Sequence, residues 1–329
     1  MNLAYLVRKM FTMQEYDTTG NEGGGWMMLF AGQGTAQVGM GANIIDRSVA
    51  TKAVYECASD ISSLDVRKLC LKGPMARLTQ TYYQQIAVTT INVASVVAIR
   101  EQHTLNVTAC AGHSAGEYSA LWLAGVFTLE MLFKAIVTRA SIMQRLAKIT
   151  QGAMYSVQGI GRAELEQLIK AHNFTDRLSI ACDNAPNRQV ISGETSALKH
   201  LVHLLSAGGN IPAKLGVNGA WHSPLMAEGL AEMHELFSLL SLQPPEIPIY
   251  MNRSARAETS TATIVDNLVR HLVEPVRWRE SMLNCQLQGQ RRFLEISSKI
   301  YLLSFIEENK TPMRKMHCCT LLSQTKEPC

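Results

Sequence analysis

The chain has 329 residues, of which 47% are hydrophobic and 18% are charged, and its 31 basic and 27 acidic side chains give a net charge of +4. This balance excludes disordered and collagen-like proteins. It also gives no support for a nucleic-acid binder, which needs a strong basic excess. The length fits one α/β domain that carries a smaller inserted unit.

Residues 1–26 are predicted to form a flexible leader, because they end in a glycine-rich run and contain no small-residue cleavage site. No stretch reaches the roughly 18 uncharged apolar residues that a membrane-spanning helix needs. The cysteines show no Cys/His spacing typical of zinc sites, so we expect no bound metal. Together these features favour a protein of the reducing cytoplasm without membrane contact.

In the N-terminal half, short apolar strands alternate with buried helices. A strand is predicted at residues 26–30, before Gly32-Gln33-Gly34, and another at residues 107–111, before a second glycine-containing turn. Between them, residues 85–100 are apolar with few charges and predict a buried helix. Strands that alternate with buried helices indicate a parallel sheet covered on both faces.

The middle of the chain has a different pattern. It predicts a strand, a helix, two strands, a helix and a closing strand, at residues 154–159, 162–172, 178–182, 189–192, 196–206 and 214–217. This order is typical of a ferredoxin-like α+β unit.

The predicted fold is therefore α/β, with a hydrolase-like core whose parallel sheet resumes in strands at residues 249–252 and 293–296. A small ferredoxin-like subdomain interrupts this core. The expected order along the chain is leader, first core segment, insert, second core segment and tail, at residues 1–26, 27–150, 151–218, 219–316 and 317–329.

The pentapeptide Gly112-His113-Ser114-Ala115-Gly116 is a G-x-S-x-G sequence between a predicted strand and a predicted helix. Its two glycines allow a sharp turn that lifts the Ser114 hydroxyl to the N-terminus of the helix. Free backbone N–H groups and the helix dipole stabilise a developing oxyanion there. The pattern predicts Ser114 as a nucleophile, while a chance Gly/Ser turn is the alternative.

A serine nucleophile needs a base, and the sequence has nine histidines. His222 is the first choice, because it lies in a turn of small residues before a predicted helix at residues 225–240. His113 is next to Ser114 but on the wrong side of a tight turn. Most others lie in helices, loops or the tail, where solvated positions are expected, and are His103, His172, His200, His203, His234 and His317. The residues alone leave this choice open.

Five motifs, in their order, resemble those of the malonyl-CoA:acyl carrier protein transacylase family of fatty-acid and polyketide synthesis. They are Phe30-Ala31-Gly32-Gln33-Gly34, the pentapeptide followed by Glu117, Arg139 with Met143-Gln144, residues 184–193, and Ala220-Trp221-His222-Ser223. The resemblance covers nearly the whole chain, from about Met28 to Met316.

The resemblance implies the catalytic roles. Ser114 would attack the acyl thioester, and His222 would act as general base and then as general acid. The backbone N–H groups of Gln33 and Ala115 would form the oxyanion hole. The backbone carbonyl of His271, at a position where the family often has glutamine, would orient the catalytic histidine.

The resemblance also implies the substrate contacts. The family arginine corresponds to Arg139, whose guanidinium would bind the malonyl carboxylate through two parallel hydrogen bonds and select a diacid. A solvated helix arginine is the alternative, but the neighbours of Arg139 in the sequence are apolar. Gln85, His113 and Trp221 are expected to line the substrate site.

The sequence departs from the family pattern at six places, namely Ala31, Ala36, Ala115, Trp221, His271 and residues 297–299. None of these changes affects Ser114, His222 or Arg139. They leave open the shape of the acyl pocket and therefore the exact acyl group.

The leading interpretation is an acyltransferase that moves a malonyl or malonyl-like group from CoA to the phosphopantetheine thiol of an acidic acyl carrier protein, through an acyl-serine and without a bound cofactor. We expect a monomer, and the departures favour a discrete polyketide enzyme over a fatty-acid enzyme. A basic rim is expected for the carrier protein, with Lys214, Arg279, Arg291 and Arg292 as candidates.

Three other interpretations stay open. An acyl carrier protein hydrolase of the same fold is favoured by the small Ala115 but disfavoured by Arg139, because assorted acyl chains have no carboxylate to bind. A transferase for a different acyl group is the second. The third, a catalytically idle docking module for carrier proteins, is disfavoured by the joint presence of Ser114, His222 and Arg139.

Overall fold

The computed structural model describes residues 24–217, 219–307 and 312–323. These residues form two β-sheets with helices packed against them. Most of the predicted leader, residues 1–23, and the end of the predicted tail, residues 324–329, lie outside the described residues.

The strands of the described residues are, in chain order, β1 (Trp26–Phe30), β2 (Val107–Gly112), β3 (Gly152–Gln158), β4 (Leu178–Ala185), β5 (Arg188–Glu194), β6 (Ile211–Lys214), β7 (Ile249–Tyr250), β8 (Ala257–Glu258), β9 (Arg292–Ile296) and β10 (Arg314–His317). The helices are α1 (Val49–Ser62), α2 (Val66–Lys72), α3 (Met75–Leu78), α4 (Thr81–Arg100), α5 (Gly116–Leu123), α6 (Leu129–Ile149), α7 (Arg162–Ala171), α8 (Thr195–Ala207), α9 (Leu230–Ser238), α10 (Thr261–Arg270), α11 (Trp278–Leu287) and α12 (Cys318–Leu322). Short 3-10 turns occupy Pro224–Gly229 and Leu302–Phe305.

The larger sheet has the spatial order β10-β9-β1-β2-β7-β8, and its neighbours are parallel except for β7 and β8. Every residue of β1 is buried, as expected for a central strand covered by helices on both faces. The predicted α/β class, with a mainly parallel sheet, is confirmed.

Two long helices illustrate how the sequence builds this core. Residues 84–99 of α4 are all buried and include no charged side chain, as expected for a helix that is covered on all sides. Helix α6 begins where the Thr128 hydroxyl accepts a hydrogen bond from the Met131 N–H, and it buries one face that includes Arg139. Within the ranges that the structure describes, none of the helices combines the length and the apolar character needed to cross a bilayer.

The smaller sheet has the order β4-β5-β3-β6 and is antiparallel throughout. From β3 to β6, the chain runs strand, helix, strand, strand, helix, strand. The apolar faces of α7 and α8 pack on this sheet around Leu165, Leu198 and Leu201, in a cluster separate from the main core.

Two predicted boundaries are wrong. Trp26 begins β1, although the predicted leader includes it. At the other end, His317 belongs to β10, and Cys318, Leu321 and Leu322 are buried in the main core, so residues 317–322 are not a tail. A four-residue strand and a five-residue helix are too short to give a readable hydrophobic period.

The carboxyl ends of β1 and β2 lie side by side. Phe30 pairs with Gly112, and the His113 N–H donates to the Phe30 carbonyl over 2.9 Å. Because parallel strands end at the same edge of a sheet, the turns after β1 and β2 meet there. This edge brings the candidate catalytic residues together.

Candidate active site

Ser114 lies in a sharp turn between β2 and α5. Its φ of 52° is in the left-handed region, which is rare for a residue with a side chain. The turn needs glycine on both sides, since a Cβ at Gly112 would overlap the backbone of Gly116 and a Cβ at Gly116 would overlap the Phe30 carbonyl. The strained backbone presents the Ser114 side chain, which is partly exposed, above the edge of the sheet.

The structure places His222 beside Ser114. The Ser114 Oγ is 2.9 Å from His222 Nε2, and His222 Nδ1 is 2.7 Å from the backbone carbonyl oxygen of His271. A carbonyl only accepts hydrogen bonds, so Nδ1 carries the proton and Nε2 is left as the acceptor. Burial, with nearby His271 and Arg139, lowers the pKa of His222 well below its usual value, so the ring is neutral near pH 7.

The turn that carries His222 is built by local hydrogen bonding. The Ser223 hydroxyl donates to the Ala220 carbonyl over 2.7 Å, and Pro224 begins a 3-10 turn directly afterwards. His222 itself has a φ of 57°, so the proposed nucleophile and the candidate base both lie in left-handed backbone. Trp221 is 4% exposed, and its ring covers Gly219 so closely that a Cβ there would overlap it.

Arg139 is buried next to the serine. Its Nη2 donates to Ser114 Oγ over 3.1 Å, and its Nη1 donates to Gln85 Oε1 over 2.7 Å. Its guanidinium carbon lies 5.6 Å from the centre of the Tyr118 ring. Among the described residues, no carboxylate lies within ion-pair distance of this guanidinium. A buried cation without an anionic partner is costly, so the site is suited to a ligand that brings a carboxylate.

The Gln85 side chain contacts Arg139 through its Oε1 and Gln33 through its Nε2. Gln85 Nε2 is 3.5 Å from Gln33 Oε1, and Gln33 Nε2 donates to the Thr81 hydroxyl over 3.1 Å. A Cβ at Gly32 would stand 3.2 Å from the Ala115 nitrogen and overlap the His113 carbonyl, so the two turns are in close contact. Neither the Gln33 N–H nor the Ala115 N–H donates a hydrogen bond to any group in the described parts of the chain.

His113 does not contact the candidate base. Its Nε2 is 2.8 Å from Asn184 Oδ1, at the end of β4, and its ring lies beside the rings of Trp278 and Tyr301. Burial lowers its pKa to about 4. His113 therefore joins the serine turn to the smaller sheet.

Two residues behind the serine were not assigned a role from the sequence. Asn252 Oδ1 accepts the Ser114 N–H over 2.9 Å, while Asn252 Nδ2 contacts Glu117 Oε1 at 2.8 Å and the Gly112 carbonyl at 2.6 Å. Burial raises the pKa of Glu117 to about 7, although hydrogen bonds from Asn252 oppose this effect. Glu117 was visible in the serine motif, whereas Asn252 was marked only by its place at the end of a predicted strand.

The candidate basic rim is only partly near this edge. Arg291 and Arg292 lie at the amino end of β9, and Arg292 pairs in register with Trp26, the first residue of β1. They are therefore at the edge of the sheet opposite Ser114, and their expected place at the rim of the site is wrong. Lys214 is an exposed residue at the end of β6, and Arg279 is half-buried on α11.

In the part of the chain that the structure describes, one group could hold a metal. Donor atoms of His317, Cys318 and Cys319 lie within 4.8 Å of one another, because α12 begins directly after β10. The sequence spacing gave no sign of this group.

A family model described as an acyl transferase domain matches residues 27–327. The chain belongs to this family. A malonyl CoA-acyl carrier protein transacylase of Bacillus subtilis is 31% identical to this chain over 281 residues, which are 85% of this chain and 70% of the relative. An enzyme of the same name from Haemophilus influenzae is 30% identical over 257 residues, 78% of this chain and 82% of its own.

Solved structures agree with this assignment. An acyl-carrier-protein-S-malonyltransferase from Bartonella henselae has a TM-score of 0.86 at 28% identity, over 91% of this chain and 98% of its own. A malonyl-transacylase solved in complex with a type II PKS acyl-carrier protein has a TM-score of 0.86 at 27% identity, over 91% and 99%. The family predicted from the five motifs is confirmed, while the roles of the individual site residues stay predictions.

Proposed function

We propose that this acyltransferase moves a malonyl group from CoA to the phosphopantetheine thiol of an acyl carrier protein, through an ester on Ser114. One observation supports this most: the Ser114 hydroxyl is within hydrogen-bond distance of both a buried neutral histidine and a buried arginine. The histidine can take the hydroxyl proton, and the arginine can hold the carboxylate that distinguishes malonyl from acetyl.

In the first half-reaction, Ser114 Oγ attacks the thioester carbonyl while its proton passes to His222 Nε2. The negative charge that develops on the carbonyl oxygen is bound by the Gln33 and Ala115 N–H groups, whose lack of partners in the described residues supports this role. The C–S bond then breaks, and His222 returns its proton to the departing CoA thiolate. The products are malonyl-Ser114 and free CoA thiol.

Arg139 serves the substrate throughout. Its Nη2 contacts Ser114, and its Nη1 donates to Gln85 Oε1. When a malonyl group arrives, the guanidinium keeps the Gln85 contact and turns toward the carboxylate. A planar guanidinium can form two parallel hydrogen bonds with this group, which an acetyl or longer alkyl chain cannot accept.

In the second half-reaction, His222 takes the proton of the phosphopantetheine thiol, and the sulfur attacks the malonyl-serine ester. The C–O bond breaks, and the proton returns to Ser114 Oγ. An acyl carrier protein is proposed as the partner because the relatives are named for it and one related structure is a complex with it. The two thioesters and these side chains account for every atom moved, so the reaction as proposed needs no cofactor.

Three finer features belong to the same proposal. The larger sheet with its helices is a hydrolase-like core, and residues 151–218 are a ferredoxin-like subdomain, as the strand order β4-β5-β3-β6 supports. The enzyme is proposed to work in the cytoplasm, where the free thiols of its described cysteines remain reduced. A polyketide rather than a fatty-acid pathway is supported by the departures from the family motifs.

A competition among acyl-CoAs tests the function. The enzyme is mixed with equal concentrations of malonyl-CoA, methylmalonyl-CoA and acetyl-CoA, with and without a phosphopantetheinylated acyl carrier protein, and both proteins are weighed by intact mass spectrometry. We expect malonyl-enzyme without the carrier protein and malonyl-carrier protein with it. A folded Ser114→Ala variant must give neither product.

The same experiment separates transfer from hydrolysis. An acyl carrier protein hydrolase would release free acid from an acylated carrier protein faster than it loads an empty one. Dominant release would replace the proposal by the hydrolase, and equal rates for acetyl and malonyl would remove the role of Arg139.

A further inference from the structure

Behind the candidate base, two titratable side chains are buried against each other. The Oε2 atom of Glu117 lies 3.0 Å from the Nδ1 atom of His271, and the two side chains are 1% and 2% exposed. The sequence assigned neither side chain a role in the reaction, since only the backbone carbonyl of His271 was expected to matter.

Glu117 is fixed from the other side. Its Oε1 accepts hydrogen bonds from the backbone N–H and from the side-chain amide of Asn252, over 2.6 and 2.8 Å. The same Asn252 accepts the N–H of Ser114. Oε1 is thus occupied, whereas Oε2 has no hydrogen-bond partner in the described residues and lies 3.0 Å from His271 Nδ1.

His271 contacts His222 in two ways. Its backbone carbonyl accepts the His222 Nδ1–H, and its ring stacks on the His222 ring, with 4.4 Å between the centres and 28° between the planes. Its Nε2 is buried and has no hydrogen-bond partner in the described residues. The imidazole of His271 therefore lies between the Glu117 carboxyl and the ring of the candidate base.

The charges in this stack decide what it can do. When His222 takes the serine proton it becomes an imidazolium, and a second cation 4.4 Å away would oppose this step. Burial and the cationic Arg139 lower the pKa of His271 well below its usual value, so this ring stays neutral. The other charged or titratable groups that act on the stack are Arg139 and His113, and neither is an anion. Glu117 is the group in contact with the stack that becomes an anion when it loses its proton.

We propose that the Glu117–His271 pair supports the general base: the ionised Glu117 carboxylate, 3.0 Å from Nδ1 of the neutral His271 ring, stabilises the imidazolium of His222 across that ring. His271 is thus a positioning residue that acts through His222. The inference rests on the proposed acyl-serine chemistry. It adds that acyl transfer needs the proton to be absent from Glu117, so the rate falls as the pH is lowered.

The variants Glu117→Gln and His271→Gln test this pair. Glutamine at 117 keeps the size and the hydrogen bonds but removes the charge, and glutamine at 271 keeps the backbone carbonyl that holds His222. In each variant we expect acylation at high pH to slow about tenfold, because the imidazolium loses its support. We also expect the acidic limb of the pH–rate profile to move about one pH unit lower, because Glu117 no longer controls it.

The measurement is the single-turnover rate of Ser114 acylation by malonyl-CoA between pH 5 and 9, scored by intact mass. The double variant should be no slower than the slower single one, because both changes break one pathway. Exposed residues of α9 provide the matched controls, His234→Gln and Glu235→Gln, which should behave as wild type.

The possible outcomes distinguish a failure of this inference from a failure of the proposed acyltransferase function. Absence of a Ser114-dependent adduct in the wild type would remove the proposed function itself. A normal adduct with an unmoved acidic limb in folded His271→Gln would overturn only the role of the pair. A lower rate at high pH without a shift of the acidic limb would likewise overturn the role of the pair, because it would show that the contact is structural only. If Glu117→Gln does not fold, the His271→Gln profile decides.

Discussion

Within the described residues, two serine–histidine pairs lie at the same edge of the larger sheet, and one of the two has the surroundings of a catalytic site. Ser114 Oγ is 2.9 Å from His222 Nε2, and Ser297 Oγ, directly after β9, is 3.0 Å from His317 Nε2. The distances are nearly equal. The pair geometry therefore does not by itself identify a nucleophile.

The surroundings differ in three ways. Ser297 is 2% exposed, and its hydroxyl also contacts a Glu295 carboxylate oxygen and the Lys299 carbonyl, at 2.9 and 2.6 Å. Glu295 in turn accepts two backbone N–H groups of the following turn, so this network is internally satisfied. Ser114 instead is partly exposed, has a strained backbone and lies near amides without partners. Unsatisfied donors and access mark a site, whereas a closed network marks a structural support.

The largest expected contrast is between Ser114→Ala and Ser297→Ala. The first should abolish the malonyl adduct, because the attacking oxygen is gone. The second should keep the adduct but lower the free energy of unfolding by about 1–3 kcal/mol, because Glu295 and His317 lose a buried partner. Urea unfolding and intact mass measure both. Loss of the adduct in a folded Ser297→Ala would remove the distinction between the two pairs.

Replacement of Arg139 should have the next largest effect, and it tests the difference between the Ser114–His222 and Ser297–His317 pairs. Arg139→Ala removes the cation that only the first pair has, and the preference for malonyl over acetyl should fall about a hundredfold, or about 3 kcal/mol for charged hydrogen bonds. The control is Arg145→Ala, an exposed arginine of the same helix that pairs with Glu232 at the surface. The ratio of kcat/KM for the two acyl-CoAs is the measure. An unchanged ratio would mean that Arg139 binds no carboxylate.

The pH dependence of the free energy of unfolding should also reflect the surroundings of Ser114, where Glu117 is buried. The folded-state pKa of Glu117 is raised from 4.5 to about 7, so its neutral form stabilises the folded protein below pH 4.5, and this contribution is lost as the pH rises through 7. The raised pKa corresponds to about 3 kcal/mol of unfolding free energy. Glu117→Gln should flatten the dependence between pH 4.5 and 7, whereas the exposed Glu235→Gln should not. Urea unfolding at several pH values measures this dependence. Parallel plots of unfolding free energy against pH for the wild type and the two variants would contradict the prediction.

The smallest expected effect is at Gln85, which holds one end of the Arg139 guanidinium. Gln85→Ala should reduce kcat/KM for malonyl-CoA about fivefold, near 1 kcal/mol for one hydrogen bond. Gln85→Glu should cost more, because a fixed carboxylate would pair with Arg139 and compete with malonyl. Equal losses of kcat/KM in the two variants would count against a role of the Arg139 guanidinium in binding the malonyl carboxylate.

The sequence was informative where its signals are local. The apolar runs predicted β1, β2 and α4, and the two glycines around Ser114 predicted the turn that the backbone requires. The structure also brings His222, Arg139 and Gln85 to Ser114, as the family motifs led us to expect. Each of these signals lies within a few neighbouring residues.

The missed features depend on distant contacts. Asn252 holds the backbone of Ser114 from 138 positions away, after a strand of only two residues. Residues 317–322 read as polar because their buried side chains are mixed with exposed ones in elements too short to show a period. The side chain of His271 gained its place only when the fold stacked it on His222. No periodicity or motif reports such pairings.

The way in which the chain enters and leaves residues 151–218 has a mechanical consequence. A side chain added at Gly152 would stand 3.0 Å from the Ala220 nitrogen, so the outgoing and the returning segments touch. One residue separates Ala220 from His222, and the His113–Asn184 hydrogen bond is a further contact next to Ser114. The smaller sheet also joins the core through β4, because the Asp183 N–H and the Ala181 carbonyl form hydrogen bonds with the backbone of Val276. A displacement of the smaller sheet, such as a docking partner would cause, would therefore act on the turns that carry Ser114 and His222 together.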